Sequence, residues 1–209
     1  MAEATLSIAV LGAGNIGGTL GKKWVAAGHQ VRFGVHDPEG KNAQALRAEL
    51  GAQAVIGTIE DALQGNPDVV LVAIPGAAVE ATAQAYAAQL NGRIIIDATN
   101  RMGEDSLHNL AHFQQHAPQS PLYRAFNSLG WENFADPYYD GVAADLFYCG
   151  TTGEAQAKVE HLISDLKLRP IYLGGVEQAA AIDAVTSIWF ALAFGQKKGR
   201  HIAFKVLGI

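Results

Sequence analysis

The feature that most restricts what this chain can fold into is a glycine-rich turn, Gly12-Ala13-Gly14-Asn15-Ile16-Gly17. It lies directly after an apolar run at 6–11 and opens helical periodicity at 15–27. A Gly-x-Gly-x-x-Gly pattern alone is common, but between a buried strand and a helix it acquires a physical meaning. The first glycine permits the tight turn, the second lets the backbone approach a pyrophosphate, and the third lets helix and strand pack closely. The helix start adds unpaired amide N–H groups and the positive end of the helix dipole, which together favour an anion. Gly18 and Gly21 extend a small-residue face suited to packing on a sheet.

The chain around this turn alternates between two hydrophobic periods. Strands are expected at 30–35, 54–56, 68–74 and 93–97, and helices at 42–50 and 79–90, with Gly28 and Pro75-Gly76 as stops. Nearly continuous apolar strands separated by helices imply a mostly parallel sheet covered on both faces: a Rossmann-type, doubly wound α/β fold with ligands at the carboxyl ends of the strands. After Asn100 the pattern loosens. A helix at 106–116, a strand at 122–126, an aromatic loop through Tyr138-Tyr139, a strand at 146–149, a helix at 154–166 and a strand at 169–173 would extend the sheet. An apolar helix at 177–194 and a short tail follow. The expected division is a dinucleotide-binding domain over 1–174 and a small C-terminal helical extension over 175–209, packed on the core or on a second subunit. The apolar helix has to bury a face, so a homodimer is expected.

Composition narrows the partners. A net charge of -5 offers no electrostatic footprint for nucleic acid or anionic lipid, which leaves a small-molecule partner. Cys149 is the single cysteine, so an intramolecular disulfide and a thiolate metal cluster are excluded. The N-terminal Met1-Ala2-Glu3-Ala4 lacks the features of a signal peptide. No stretch is expected to span a bilayer, because Asp183 interrupts the apolar C-terminal helix, and a cytoplasmic location is expected.

The adenosine end of the site has two readings. Asp37 sits near the usual spacing for an acid that takes the ribose hydroxyls of NAD, but it precedes Pro38 and looks like a turn former. His36, at the tip of the second strand with Lys41 nearby, would instead face the 2'-phosphate of NADP or stand as a solvated loop residue, and NADP is expected over NAD. Other constellations carry less. His108, His112 and His116 recur at helical spacing, yet Leu107, Leu110 and Ala111 would form the buried stripe and leave the histidines on a solvated flank, so no metal site is expected. Cys149 reads as a core residue, and Lys197 and Lys198 as a solvated helix end. Asp183 needs a partner, at a pocket or a subunit interface. Trp131, Phe134, Tyr138 and Tyr139 would either wall a planar acceptor or cap the core.

Several segments together resemble one family, the NADP oxidoreductases that use the deazaflavin coenzyme F-420, with bacterial relatives of unassigned acceptor. The nucleotide-binding unit also resembles the cytosolic domains of six-transmembrane ferric reductases. The resemblance runs through Leu11 to Gly17, Ala73-Ile74-Pro75, Asp97-Ala98-Thr99-Asn100, the stretch Arg124-Ala125-Phe126-Asn127-Ser128-Leu129-Gly130-Trp131, Trp189 and Ala203-Phe204-Lys205. It implies that Ala13, Gly14, Asn15 and Ile16, between Gly12 and Gly17, contact the pyrophosphate, that Ala73, Ile74 and Pro75 pass under the adenosine and ribose, and that Thr99 and Asn100 approach the nicotinamide. The chain departs from the family at Val35-His36, where NADP-type members carry Ser-Arg, and at Arg101, where relatives continue with proline. Arg101 would bring a cation to the ligand edge, for an acidic substrate or for a surface salt bridge.

The resulting expectation is an NAD(P)-dependent oxidoreductase that transfers a hydride between nicotinamide and a planar acceptor such as a deazaflavin or flavin. No side-chain acid is required for that chemistry, and no catalytic residue is assigned. The alternatives are a non-catalytic NAD(P) redox sensor and a small imine or hydroxyacid reductase using Lys197, Asp183 or a tyrosine as proton donor.

Overall fold

A computed structural model describes residues 5–208, so the expectation drawn from the first four residues lies outside the described residues. The order along the chain begins β1 (Ser7–Leu11), α1 (Asn15–Ala26), β2 (Gln30–Val35), α2 (Lys41–Leu50), β3 (Ala54–Thr58), α3 (Ile59–Gln64), β4 (Val69–Val72), α4 (Val79–Ala85), α5 (Ala87–Leu90) and β5 (Ile94–Asp97). It continues with α6 (Leu110–His116), β6 (Leu122–Arg124), α7 (Trp131–Ala135), a hairpin of β7 (Tyr138–Tyr139) and β8 (Val142–Ala143), β9 (Asp145–Gly150), α8 (Glu154–Asp165), β10 (Arg169–Tyr172) and α9 (Ala179–Phe190).

Eight of the strands form one sheet in the order β10-β9-β6-β5-β4-β1-β2-β3. All pairs are parallel except β6 with β9, which run antiparallel at Tyr123↔Gly150 and Arg124↔Cys149. The chain winds outward from β1 through β2 to β3, then returns to β4 on the other side of β1 and winds the other way. The carboxyl ends of β1 and β4 therefore diverge at a topological switch point, where an open α/β sheet forms its crevice.

The alternating side chains of the strands feed two cores. On one face Ile8, Val10 and Leu71 pack with Leu20 and Trp24 of α1 and with Val159 and Leu162 of α8. On the other face Ala9, Leu11 and Val70 pack with Ala62 and Leu63 of α3, Val79 and Ala83 of α4, and Phe113 of α6. Helix α9 feeds both, with Trp189 in the first core and Ala179 and Ile182 in the second.

The structure departs from the sequence expectations where tertiary contacts override local pattern. The helix expected at 106–116 starts only at Leu110, because the Asn109 amide N–H is drawn to Asp97 Oδ2 at 2.7 Å. The helix expected at 79–90 breaks at Tyr86, whose backbone leaves helical geometry at φ -112° and ψ 24°. The strand expected at 122–126 stops at Arg124, since Phe126 takes φ 62°. Helix α3, held by a capping box between Thr58 and Asp61, and helix α7 were hidden by their shortness. Val176–Gly195 is, contrary to expectation, long and apolar enough to span a membrane by length and composition, because one or two acidic residues do not lower a mean hydropathy of 1.3 far enough. Its inward face is nonetheless tied to the sheet by the packing described above.

The C-terminal tail returns to β9, where the Asp145 N–H donates to the Phe204 carbonyl at 3.0 Å. The buried Asp145 carboxylate accepts from Arg169 Nε at 2.8 Å, Lys205 Nζ at 2.9 Å and the Val206 N–H at 2.6 Å. Burial pushes this carboxyl up, but the bonds from Arg169, Val206 and Lys205 outweigh it and hold it below the usual aspartate range. A carboxyl depressed in the folded state contributes stability above its unfolded pKa of about 3.9, and that contribution is lost as the pH falls through the lower folded value. Asp145→Ala is expected to cost about 3 kcal/mol in urea unfolding at pH 7, with the gap from the native sequence narrowing below about pH 4. A gap unchanged down to pH 2 would contradict the role of this carboxylate.

Candidate functional site

Gly12 follows β1 at φ 108°, and a Cβ there would lie 2.4 Å from the Ala73 carbonyl at the end of β4. The two strand ends can thus touch only because this residue is glycine. A Cβ on Gly17 would lie 2.1 Å from the Gly12 carbonyl, so Gly17 sits behind the turn and closes helix on strand. Gly14 differs: it caps α1 with ordinary extended angles, and a Cβ on it would meet nothing within 4 Å. That open space faces a cleft of about 890 Å³ at the switch point.

The cleft brings together most of the residues expected to bind a cofactor. Gly12, Ala13, Gly14, Asn15 and Ile16 line it from the turn, His36 from the tip of β2, and Ala73, Ile74 and Pro75 from the end of β4. Gly17 is buried behind the loop. Thr99 and Asn100 do not line this cleft; they lie beyond the end of β5, the strand next to β4. Asp37 is a turn former, with Oδ1 accepting from the Glu39 N–H at 3.0 Å and its carbonyl accepting from the Gly40 N–H at 3.0 Å.

Sequence reasoning missed a second helix start on the cleft. Gly40, Lys41, Asn42 and Ala43 line it, so α2 opens beside His36 as α1 opens beside Gly14. Neither helix carries an acidic residue in its first turn, whereas α3, which starts with Glu60 and Asp61, does. Two positive helix ends without acidic compensation favour a ligand with anionic charge at two places. The signal in the sequence was Gly40 before a helix that begins with lysine.

Beyond the end of β5 the structure holds a polar cluster that the sequence did not disclose. Arg124, fully buried on β6, pairs with Asp183 of α9 at 2.8 Å and with Asp97 at 3.4 Å. It also donates to Asn100 Oδ1 at 2.9 Å and to the Thr99 carbonyl. Asp97 Oδ1 accepts from the Thr99 N–H at 3.0 Å and its hydroxyl at 2.6 Å, and Asn100 Nδ2 donates to the Asn127 carbonyl at 3.2 Å. Asp183 thus finds its partner within the chain rather than at a subunit interface.

Other candidates resolve into structural roles. Phe134 is buried edge-on against Phe126, and Tyr139 stacks on His201 at 4.6 Å, so these two cap the core. Burial, then Asp136 and Glu132, push the Tyr139 hydroxyl up to about 12. Burial lifts the Cys149 thiol to about 11, far from a thiolate at neutral pH. Arg101 pairs with Glu104 at 3.6 Å, and its stem lies against Gly76. His108 lies outside the shortened helix, and the stripe that α6 buries is Leu110 and Phe113, with Ala111 exposed, instead of the expected Leu107, Leu110 and Ala111. Lys197 and Lys198 are exposed. A separate trio, His29, His161 and Asp165, has ligand atoms within 4.8 Å of one another. The Leu6 N–H donates to His29 Nδ1 at 3.0 Å, which puts the ring proton on Nε2, where it meets Asp165 at 2.8 Å. That tautomer turns an N–H, not a lone pair, toward the place a metal would occupy.

Residues 7–101 match the family described as NADP oxidoreductase coenzyme F-420-dependent. Among solved structures, the chain is similar to a protein from Arthrobacter sp. FB24 provisionally assigned as an F-420-dependent NADP reductase, with 24% identity, a TM-score of 0.83, and coverage of 97% of this chain and 100% of that one. It is similar to a hypothetical protein from Sinorhizobium meliloti at 24% identity and a TM-score of 0.70, covering 98% and 97% of the two chains. A reductive aminase from Aspergillus terreus, in complex with NADPH and ethyl levulinate, shares the fold at 19% identity and a TM-score of 0.65; the match covers 92% of this chain and 63% of that larger one. The switch-point cleft and the glycine turn that shapes it lie within the segment that matches this family, residues 7–101, and the match supports an NAD(P)-dependent oxidoreductase.

Proposed function

We propose that the chain transfers a hydride between the nicotinamide of NADP(H) and a planar acceptor of the deazaflavin or flavin class. The observation that carries the reading is the cleft, which joins the open face of Gly14 at the start of α1 to His36 and Lys41 at the start of α2. In this reading the backbone N–H groups from Ala13 to Ile16 hold the pyrophosphate, and His36, Lys41 and the α2 amides hold the 2'-phosphate in place of the family's Ser-Arg pair. Ala73, Ile74 and Pro75 support the ribose, and Thr99 and Asn100 meet the nicotinamide. The bound nucleotide supplies the hydride chemistry. The protein positions and desolvates the two rings, and no side-chain acid is needed. Of the proton donors that a small imine or hydroxyacid reductase would use, Asp183 is held in an ion pair and Tyr139 is a weakened acid, while Lys197 is exposed.

Helix α9 and the wider helical turn that continues it over Ala191–Gly195 leave Ile188, Leu192 and Phe194 exposed. A second copy of this chain covers that stripe in the proposed assembly, and Ile188→Glu with Leu192→Glu is expected to convert a dimer to a monomer by light scattering. A native chain that is already monomeric would refute it.

The reaction is tested by following NADPH and NADH absorbance with oxidised deazaflavin, FMN and riboflavin as acceptors. Oxidation of NADPH well above that of NADH, with a deazaflavin preferred and the preference between nucleotides reduced by His36→Ala, is the expected result. Tight NADPH binding with no oxidation by any acceptor would leave the sensor alternative.

The loop itself is tested by binding. Gly14→Val has room within the fold and is expected to weaken NADPH binding by at least about 100-fold with little change in melting temperature. Unchanged affinity would remove the loop from the site.

A further inference from the structure

We infer that Arg124, held by Asp183, is a positioning residue that sets the nicotinamide end of the site from the C-terminal helix. The inference rests on the proposed placement of Thr99 and Asn100 at the nicotinamide.

A buried guanidinium is costly, and an apolar pair of similar volume would serve stability as well, so stability alone does not account for it. The pattern of its bonds is more informative. Apart from Asp183, its side-chain partners among the described residues all lie in one short segment that starts at the last residue of β5: the Asp97 carbonyl at 3.3 Å, Asp97 Oδ2, the Thr99 carbonyl and Asn100 Oδ1. The rigid fork of Arg124 thus fixes both the backbone of 97–100 and the orientation of the Asn100 amide, whose Nδ2 is then committed to the Asn127 carbonyl. Asp183 Oδ1 takes both Nε at 3.0 Å and one terminal nitrogen at 2.8 Å, so α9 decides how the fork is turned. A second tie runs in parallel, from Asn127 Nδ2 to Thr186 Oγ1 of the same helix at 2.8 Å.

None of these residues lines the cleft at the glycine loop. The two halves of the nucleotide are therefore held by separable parts: the adenosine and phosphates by the loop, His36 and the β4 end, and the nicotinamide by a turn that α9 keeps in place. An arrangement of this kind predicts that changes at Arg124 or Asp183 act on one half only.

The experiment compares the affinities of NADP+ and of 2'-phospho-ADP-ribose, the same nucleotide without its nicotinamide, by calorimetry. Arg124→Lys keeps a cation between the two aspartates but cannot reach Thr99 and Asn100 as a fork, and Asp183→Asn keeps an acceptor oxygen while removing the charge. In the native chain NADP+ is expected to bind tighter than the fragment. In Arg124→Lys that advantage should fall by about tenfold while affinity for the fragment stays within about twofold, which also shows that the variant is folded. Asp183→Asn should lose a smaller part of the same advantage, and it decides the matter if Arg124→Lys does not fold. Full retention of the advantage in a variant that binds the fragment normally would overturn the inference, as would equal loss of both affinities. A native chain that binds neither nucleotide would instead sink the proposed function.

Discussion

The structure depends on a buried guanidinium. Arg124 sits at the end of β6 with no solvent contact, so its donors have to be met inside the protein. Meeting them draws three elements to one point: the turn after β5, the strand that carries the arginine, and the C-terminal helix through Asp183. Without that requirement α9 would be an apolar helix with a weak reason to choose one orientation. With it, the helix has a single register on the sheet, fixed by charge as well as by shape.

The other end of the site is built by exclusion rather than attraction. Gly12 and Gly17 remove the Cβ atoms that would keep β1, β4 and α1 apart, and the resulting turn presents helix α1 end-on to the crevice. The same crevice receives the start of α2. The lack of acidic residues in either first turn leaves both dipole ends uncompensated, which is a cost to the empty fold and an advantage once an anion is bound.

Much of this was legible in the chain. The glycine turn, the strand ends at Val35 and Asp97, and the alternation of periods are local properties, and they predicted the doubly wound sheet and the cleft residues from Gly12 to Ile16 and from Ala73 to Pro75, although β4 ends at Val72, two residues before the expected end. Asp183 was recognisable as a charge in need of a partner. Its partner was not, because Arg124 lies 59 positions away and a lone arginine after apolar residues gives no directional signal. The α2 start was partly visible in Lys41, but its aim at the cleft follows from the β2–α2 turn that Asp37 shapes. The late start of α6 was illegible for the same reason, since it follows from a bond to Asp97, and β6 ends early where the backbone of Phe126 turns to φ 62°.

The sequence by itself determined the fold class and the glycine turn at the switch point, because each rests on residues close together in the chain whose spacing is set by strand and helix geometry. The tertiary structure decided the rest: that Thr99 and Asn100 lie apart from the main cleft, that Phe134 and Tyr139 serve the core, and that the C-terminal helix is wired to the end of β5. These depend on which distant groups must satisfy one another once water is excluded. That is a property of the folded whole, and no window of the chain contains it.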